Sequence, residues 1–139
     1  MTTKSAHLTF RTSKDKYELE KYLVATPITK HRISLTRLRI NDHSLQIDKE
    51  RHSRPYIKAE ERICLICKKD VEDEKHFIAN CETYKELRKS FVYKTTLQNV
   101  SENKIFHLAI NPPAKLAGVA ARYIHDCLQR RNVMLSNLT

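Results

Sequence analysis

The stretch Cys64-Leu65-Ile66-Cys67-Lys68-Lys69-Asp70-Val71-Glu72-Asp73-Glu74-Lys75-His76-Phe77-Ile78-Ala79-Asn80-Cys81 decides how the rest of the chain is read. Its sulfur and imidazole side chains follow the pattern C-x2-C-x8-H-x4-C. Zinc takes four soft or borderline ligands in a tetrahedron at about 2.0–2.3 Å, and a Cys-x-x-Cys turn places two thiolates on one edge of it. His76 and Cys81 must return to that tetrahedron from the far side of an acidic turn. A helix starting after Asp73-Glu74 brings His76 near in its first turns. Cys81 reaches the same side only if that helix ends or bends near Asn80.

Three other uses of the thiols compete with zinc. A Cys64–Cys67 redox pair lacks the thioredoxin-like βαβ pattern around it. Scaffold disulfides need an oxidising compartment, and nothing in the sequence directs secretion. Free thiols in a helical core leave the His-x4-Cys partner unexplained, so the spacing favours one zinc ion held by Cys64, Cys67, His76 and Cys81. With four protein ligands no position is left for water, and the ion is expected to contribute folding energy rather than activate a nucleophile. Asp70, Glu72, Asp73 and Glu74 read as helix-start charges that favour the dipole, with one of them available to orient the imidazole from outside.

Outward from this centre, the chain has 139 residues, 26 basic and 16 acidic side chains for a net charge of +10, four cysteines, no tryptophan and the single glycine Gly118. That length suits one domain, long enough to bury about two-thirds of the unfolded surface. One glycine excludes the Gly-rich phosphate loops, each of which needs several positions without a Cβ. It also argues against an all-β fold with tight primed turns, which want Asn-Gly or Asp-Gly. No apolar run approaches the ~18 residues of a membrane span, and the N-terminus does not read as a signal peptide. The expectation is an intracellular, soluble, mainly α domain in the nucleus or cytoplasm, built around the zinc site with a short Cys-x-x-Cys turn or hairpin.

The charge is uneven. Residues 1–62 carry 14 basic and 8 acidic side chains, residues 63–93 carry 6 of each, and residues 94–139 carry 6 and 2. A basic frame around a neutral, cysteine-bearing centre suggests that the frame meets a polyanion while the centre holds structure. A basic surface that contacts nothing in particular is the alternative.

Periodicity places the helices. Thr12 or Ser13 can cap a helix whose apolar positions Tyr17, Leu19, Tyr22 and Leu23 run until Pro27. From His31 to about His43, Ile33 and Ile40 fall on one side of a helical wheel and Leu35 and Leu38 nearly opposite, with Arg32, Thr36, Arg39 and His43 as a basic stripe between them. This predicts a helix gripped on two sides, although the stripe reads equally well as an ordinary wet face. Residues 44–63 alternate briefly at Leu45 and Ile47 and then turn polar, predicting an extended stretch and loop, or a short hairpin. Helices are expected at 73–80, 82–93 and Glu102–Ile110. Pro112–Pro113 then start the cleanest one, with Leu116, Val119, Ala120, Tyr123, Ile124, Cys127 and Leu128 on its apolar face through to about Val133. Cys127 belongs to that stripe and reads as a buried small hydrophobe. The expected organisation is a frayed N-terminus at 1–12, one domain at 13–133 with its zinc core at 60–93, and a flexible tail at 134–139. The remaining histidines have no triad-like partner, and no hydrolase elbow, kinase set or acid/base pair is present. The sequence predicts no enzyme.

Several of these residues form a larger pattern: Arg32-x-x-Leu35-Thr36-Arg37-Leu38-Arg39, His43-x-Leu45-x-Ile47-Asp48 with Arg51, Glu61-Arg62-x-Cys64-x-x-Cys67, Glu72-Asp73-Glu74-x-His76-Phe77 and Cys81-x-x-Tyr84-x-x-x-Arg88. The pattern resembles the C-terminal zinc-binding segment that follows the reverse transcriptase domain in non-LTR (LINE-like) retrotransposon polyproteins, over residues 10–133. Glu50 stands before Arg51 where many relatives have Gly, which bears on the turn there. The chain carries no Tyr-x-Asp-Asp polymerase signature and no endonuclease motif. The resemblance therefore implies the accessory zinc module without the catalytic engines, either as a truncated reading frame or as a piece retained by a host. It also implies binding of template RNA or target DNA, with Arg32, Arg37, Arg39, Arg51, Arg54 and Lys58 as the expected phosphate contacts. Tyr56 is the only exposed-looking aromatic in that basic stretch, and it fits a core position equally well. The rival expectation is a structural module whose long C-terminal helix docks on a reverse transcriptase domain.

Overall fold

The computed structural model describes residues 28–40, 45–50, 54–95 and 100–138. They form α1 (Thr29–Arg39), a single turn α2 (Gln46–Lys49), α3 (Lys85–Lys94), α4 (Glu102–Ile110) and α5 (Ala117–Asn137). A π-helical turn spans His76–Asn80, and the only extended pairing among the described residues is one antiparallel bridge between Ile63 and Val71. The chain is thus mainly helical around its Cys/His cluster. The helix expected upstream of Pro27, the N-terminal residues 1–12, His43, Arg51 and Thr139 lie outside the described residues.

α5 is the element on which α1, α3 and α4 all pack. Of the predicted apolar face, Ala120, Tyr123, Ile124 and Cys127 are buried, and Ala117 and Ala121, which the sequence reading left out, are buried beside them. Leu116, Val119 and Leu128 are only half-buried. The helix continues to Asn137, so most of the tail expected to be loose is helical. α3 meets α5 through Phe91, whose ring stacks on Tyr123 with centroids 4.6 Å apart and planes 7° from parallel. α4 starts where predicted because the Ser101 hydroxyl accepts the Lys104 N–H at 3.2 Å, satisfying one of the free donors of the first turn.

α1 departs from expectation. Leu35 and Leu38 are fully buried, but Ile33 and Ile40 remain 50% and 46% exposed, so one apolar side is gripped and not two. The inward face is His31, Leu35, Leu38 and Arg39, an i, i+4, i+7, i+8 stripe. Arg39, expected to contact phosphate, is instead 2% exposed. Its position on the inward stripe sets its burial, because a helix cannot turn Leu35 and Leu38 inward without carrying residue 39 with them.

The described part of residues 44–63 also differs, at its start. Leu45 is buried, and the following residues make a helical turn where an extended stretch is expected. The cause is tertiary: the N–H of Gln46 reaches the Glu72 carboxylate at 2.8 Å, and the N–H of Ile47 reaches the Glu72 carbonyl at 3.0 Å. The first N–H groups of a helical turn have no partner within it, and Glu72 supplies one for two of them.

Candidate metal centre

The Cys-x-x-Cys turn is a knuckle at the tip of a minimal hairpin. Cys64 N–H donates to the Asp70 carbonyl at 2.9 Å, and Glu72 N–H donates to the Arg62 carbonyl at 3.0 Å, flanking the Ile63–Val71 bridge. Lys68 N–H turns back to the Cys64 carbonyl at 3.0 Å, which curls the backbone around the thiols. To do so Lys68 takes φ 59°, the left-handed region that glycine enters freely and a residue with a Cβ enters at a cost of roughly 1–2 kcal/mol. The tail of the turn thus adopts a glycine-like conformation without a glycine.

Asp73 starts the second half of the site. Its carboxylate accepts the His76 N–H at 2.8 Å, and its carbonyl accepts the Phe77 N–H at 3.0 Å. The helix then widens: Cys81 N–H bonds the His76 carbonyl five residues back, at 2.7 Å. In an α-helix five residues advance the chain by about 500°, so Cys81 would point roughly 140° away from His76. The wider turn reduces that offset, and the extended backbone at Cys81 ends the helix. The bend anticipated near Asn80 is this π turn.

The four predicted ligands come together. The Sγ atoms of Cys64, Cys67 and Cys81 and one ring nitrogen of His76 all lie within 4.8 Å of one another, close enough to hold a metal ion. His76 Nε2 is 3.3 Å from Cys67 Sγ, so Nε2 is the nitrogen turned to the sulfurs. The electrostatics reflect the crowding. A hydrogen bond to Cys81, reinforced by burial, pushes the Cys64 thiol up to about 11. The same hydrogen bond holds Cys81 below the usual thiol value despite burial. Burial lowers the His76 imidazole, but the hydrogen bond and charge of Cys64, together with the charges of Asp70 and Asp73, raise it on balance. Sulfurs this close share protons unless a cation replaces them. Cys127, by contrast, sits in the α5 stripe with its thiol pushed up to about 12 by burial, as an inert core group.

The outer supports differ from the sequence reading. None of the four acidic residues orients the imidazole: His76 Nδ1 is buried with no hydrogen-bond partner among the described residues. Asp73 caps the backbone instead. Glu72 is a buried hub and not a helix-start charge, accepting Arg131 Nε at 2.8 Å and the second Arg131 fork nitrogen at 2.7 Å. Its Oε2 is also 3.9 Å from Cys64 Sγ. This pair joins α5 to the knuckle, and no local pattern signals it because the partners are 59 residues apart. Arg62, also buried, donates to the Ile57 and Ile47 carbonyls at 3.0 and 2.8 Å.

Arg88 braces the exit of the π turn. Its guanidinium donates to the Ile78 carbonyl at 3.0 Å and to the Cys81 carbonyl at 2.6 Å, while the Tyr123 hydroxyl donates to Ile78 from α5 at 2.5 Å. Groups that orient metal ligands from outside typically cost 10–100-fold in affinity when removed. Arg88→Met is therefore expected to weaken metal binding by about 10–100-fold while helicity is retained. Competition with a chromophoric chelator measures this, and an unchanged affinity refutes the bracing role.

The expected phosphate contacts differ in exposure. Arg37, Arg54 and Lys58 are exposed and Arg32 is half-buried, whereas Arg39 is in the core and Arg51 lies outside the described residues. Tyr56 is 64% exposed, with the Arg62 guanidinium 5.6 Å from its ring centroid. No helix among the described residues is long and apolar enough to cross a membrane. No family model, curated protein or solved structure matches the chain.

Proposed function

We propose that the chain is a zinc-stabilised, non-catalytic module that binds nucleic acid through its basic surface. Zinc is favoured by the donor set: three thiolates and an imidazole select a borderline-soft ion, against the oxygen ligands of magnesium or calcium. Bonds of about 2.0–2.3 Å to a tetrahedral ion separate its ligands by roughly 3.5–3.8 Å. Separations that include 3.3 Å and stay within 4.8 Å are compatible with that size. Cys64, Cys67, His76 and Cys81 fill the coordination, so the ion serves the fold. A zinc-bound water has no place in this scheme.

The observation that carries the nucleic-acid reading is the distribution of charge, a net +10 concentrated on both sides of a neutral metal-binding centre. Lysine and arginine surfaces attract phosphates without regard to sequence. The resemblance to the segment that follows non-LTR reverse transcriptases supports the same reading. Each phosphate contact adds about 0.9 to the salt slope on duplex DNA and about 0.7 on a single strand, so binding is expected to weaken steeply between about 50 and 200 mM salt. Fluorescence anisotropy with short RNA and DNA oligonucleotides across that range is the test. No binding to either at about 50 mM, where this attraction is strong, eliminates the proposal.

A protein-docking role is the second reading. It is supported by the distal end of α5, where Val133 and Leu138 are 60% and 57% exposed beside Met134. An oligonucleotide-binding chain whose affinity ignores substitutions there favours the first reading.

A further inference from the structure

Away from the metal centre, the start of α1, the end of α3 and the first half of α5 enclose an open cleft of about 1250 Å3. Its cations come from three separate stretches of chain: Lys30 on α1, Lys94 on α3, and Lys115 and Arg122 at and beyond the entry to α5. Asp126 is the only acidic residue on the described wall, and Arg122 faces it in an ion pair at 3.6 Å. No carboxylate among the described residues pairs with Lys30, Lys94 or Lys115. This contrasts with Lys69 on the knuckle, which Glu82 engages at 2.6 Å.

His31 and His125 also line the cleft, their ring centroids 4.9 Å apart, and His125 Nδ1 is 3.0 Å from the Ser34 hydroxyl. Burial first, and then the neighbouring His125 and Lys30, press the His31 imidazole below its ordinary value, consistent with a positive field in the cleft. Gly118, the only glycine of the chain, stands in the wall between Lys115 and Arg122, where a side chain would narrow the opening. The first turn of α5 meets the cleft and carries neither an acidic residue nor a side-chain cap. A volume above the ~300–1,000 Å3 typical of enclosed small-molecule sites suits a chain passing through better than a ligand sealed inside.

We propose that this cleft seats the phosphates of a single nucleic-acid strand, RNA or DNA, with Lys30, Lys94, Lys115 and Arg122 as the contacts. The proposal rests on the nucleic-acid reading above and locates it on a surface other than Arg32, Arg37, Arg54 and Lys58. A single strand is slimmer than the rod of a duplex and is the occupant proposed. Phosphate contacts of this kind fix position and carry no sequence preference.

The test uses the full chain loaded with zinc and labelled single-stranded RNA, single-stranded DNA of the same sequence and the matching duplex. At about 100 mM salt, Lys115→Gln with Arg122→Gln is expected to weaken single-strand binding by about 10–30-fold and to reduce the salt slope by about 1.4, two contacts at about 0.7 each. Lys30→Gln with Lys94→Gln is expected to do the same from the opposite wall, and guards against misfolding of the first variant. Metal content and helicity equal to wild type establish that each variant is folded. If the wild-type chain binds single strands and both folded variants keep its affinity and slope, the cleft is not the seat, while the general reading stands. If the wild-type chain binds no oligonucleotide at about 50 mM salt, both readings fall. Duplex binding as tight as single-strand binding, and equally weakened in the variants, overturns the choice of a single strand.

Discussion

Treatment of the purified protein with a chelator, or the substitution Cys64→Ser, is expected to unfold residues 60–93 as a unit. These residues have little regular structure to hold them before α3 begins: one antiparallel bridge, short 3-10 turns and a π turn. An isolated helical turn is unstable in water because nucleation fixes several residues for each hydrogen bond gained. An ion held by the four side chains would replace those missing interactions. Structural zinc in small fingers contributes about 10–16 kcal/mol, comparable to the whole stability of a typical domain. Phe77, Ile78 and Tyr84 belong to the common core, so α4 and α5 are expected to loosen with the centre.

Far-UV circular dichroism and amide exchange read the loss, and metal analysis supplies the stoichiometry. Cys127→Ala is the matching control, since a core thiol outside the cluster is expected to leave one zinc per chain. Acidification is expected to act in the same direction as chelation, because thiolates and imidazole bind metal only when deprotonated. Purified protein with clearly less than one zinc per chain and undiminished helicity would falsify the structural role of the ion.

The second large effect is expected at Glu72 and Arg131. Their side chains are 1% and 3% exposed and joined by two hydrogen bonds of 2.7 and 2.8 Å. Removing one member of such a buried pair leaves the other as an uncompensated charge, at a cost of about 3–5 kcal/mol. Arg131→Met and Glu72→Gln are each expected to destabilise by about that amount, read as a lowered urea midpoint in the zinc-loaded protein. The two differ in one respect. Glu72→Gln retains an acceptor for the Gln46 N–H, so the α2 turn survives it better than it survives Glu72→Leu. The double change Glu72→Leu with Arg131→Met is expected to recover much of the loss, since apolar replacement of a buried pair is often neutral. Single variants that lose less than about 1 kcal/mol would place the pair among weak surface bridges.

The Cys/His cluster was legible because it is local. Cys64, Cys67, His76 and Cys81 fall within one short stretch, and tetrahedral coordination constrains which spacings can close. The requirement that the helix bend near Asn80 followed from the same spacing, although only the structure reveals that a π turn meets it. The helices from Lys85 onward were legible for a related reason. Burial on one face of a helix leaves a periodic record, as at Ala120, Tyr123, Ile124 and Cys127. α1 was harder to read because it has two candidate apolar sides, Ile33 with Ile40 and Leu35 with Leu38, and periodicity alone does not choose between them.

The sequence by itself determined a basic, mainly helical chain with a Cys/His cluster able to hold a metal ion, since composition, spacing and helical periodicity are properties of neighbouring residues. Tertiary structure decided which charges remain outside. It carried Arg39 into the core, joined Glu72 to Arg131, and used Glu72 to start a helical turn at Gln46. It also gathered Lys30, Lys94, Lys115 and Arg122 around one cleft from stretches that show no common pattern along the chain. The physical reason is range: backbone geometry fixes contacts over a few residues, while the pairing of distant charges depends on how helices roll and pack to bury their apolar faces.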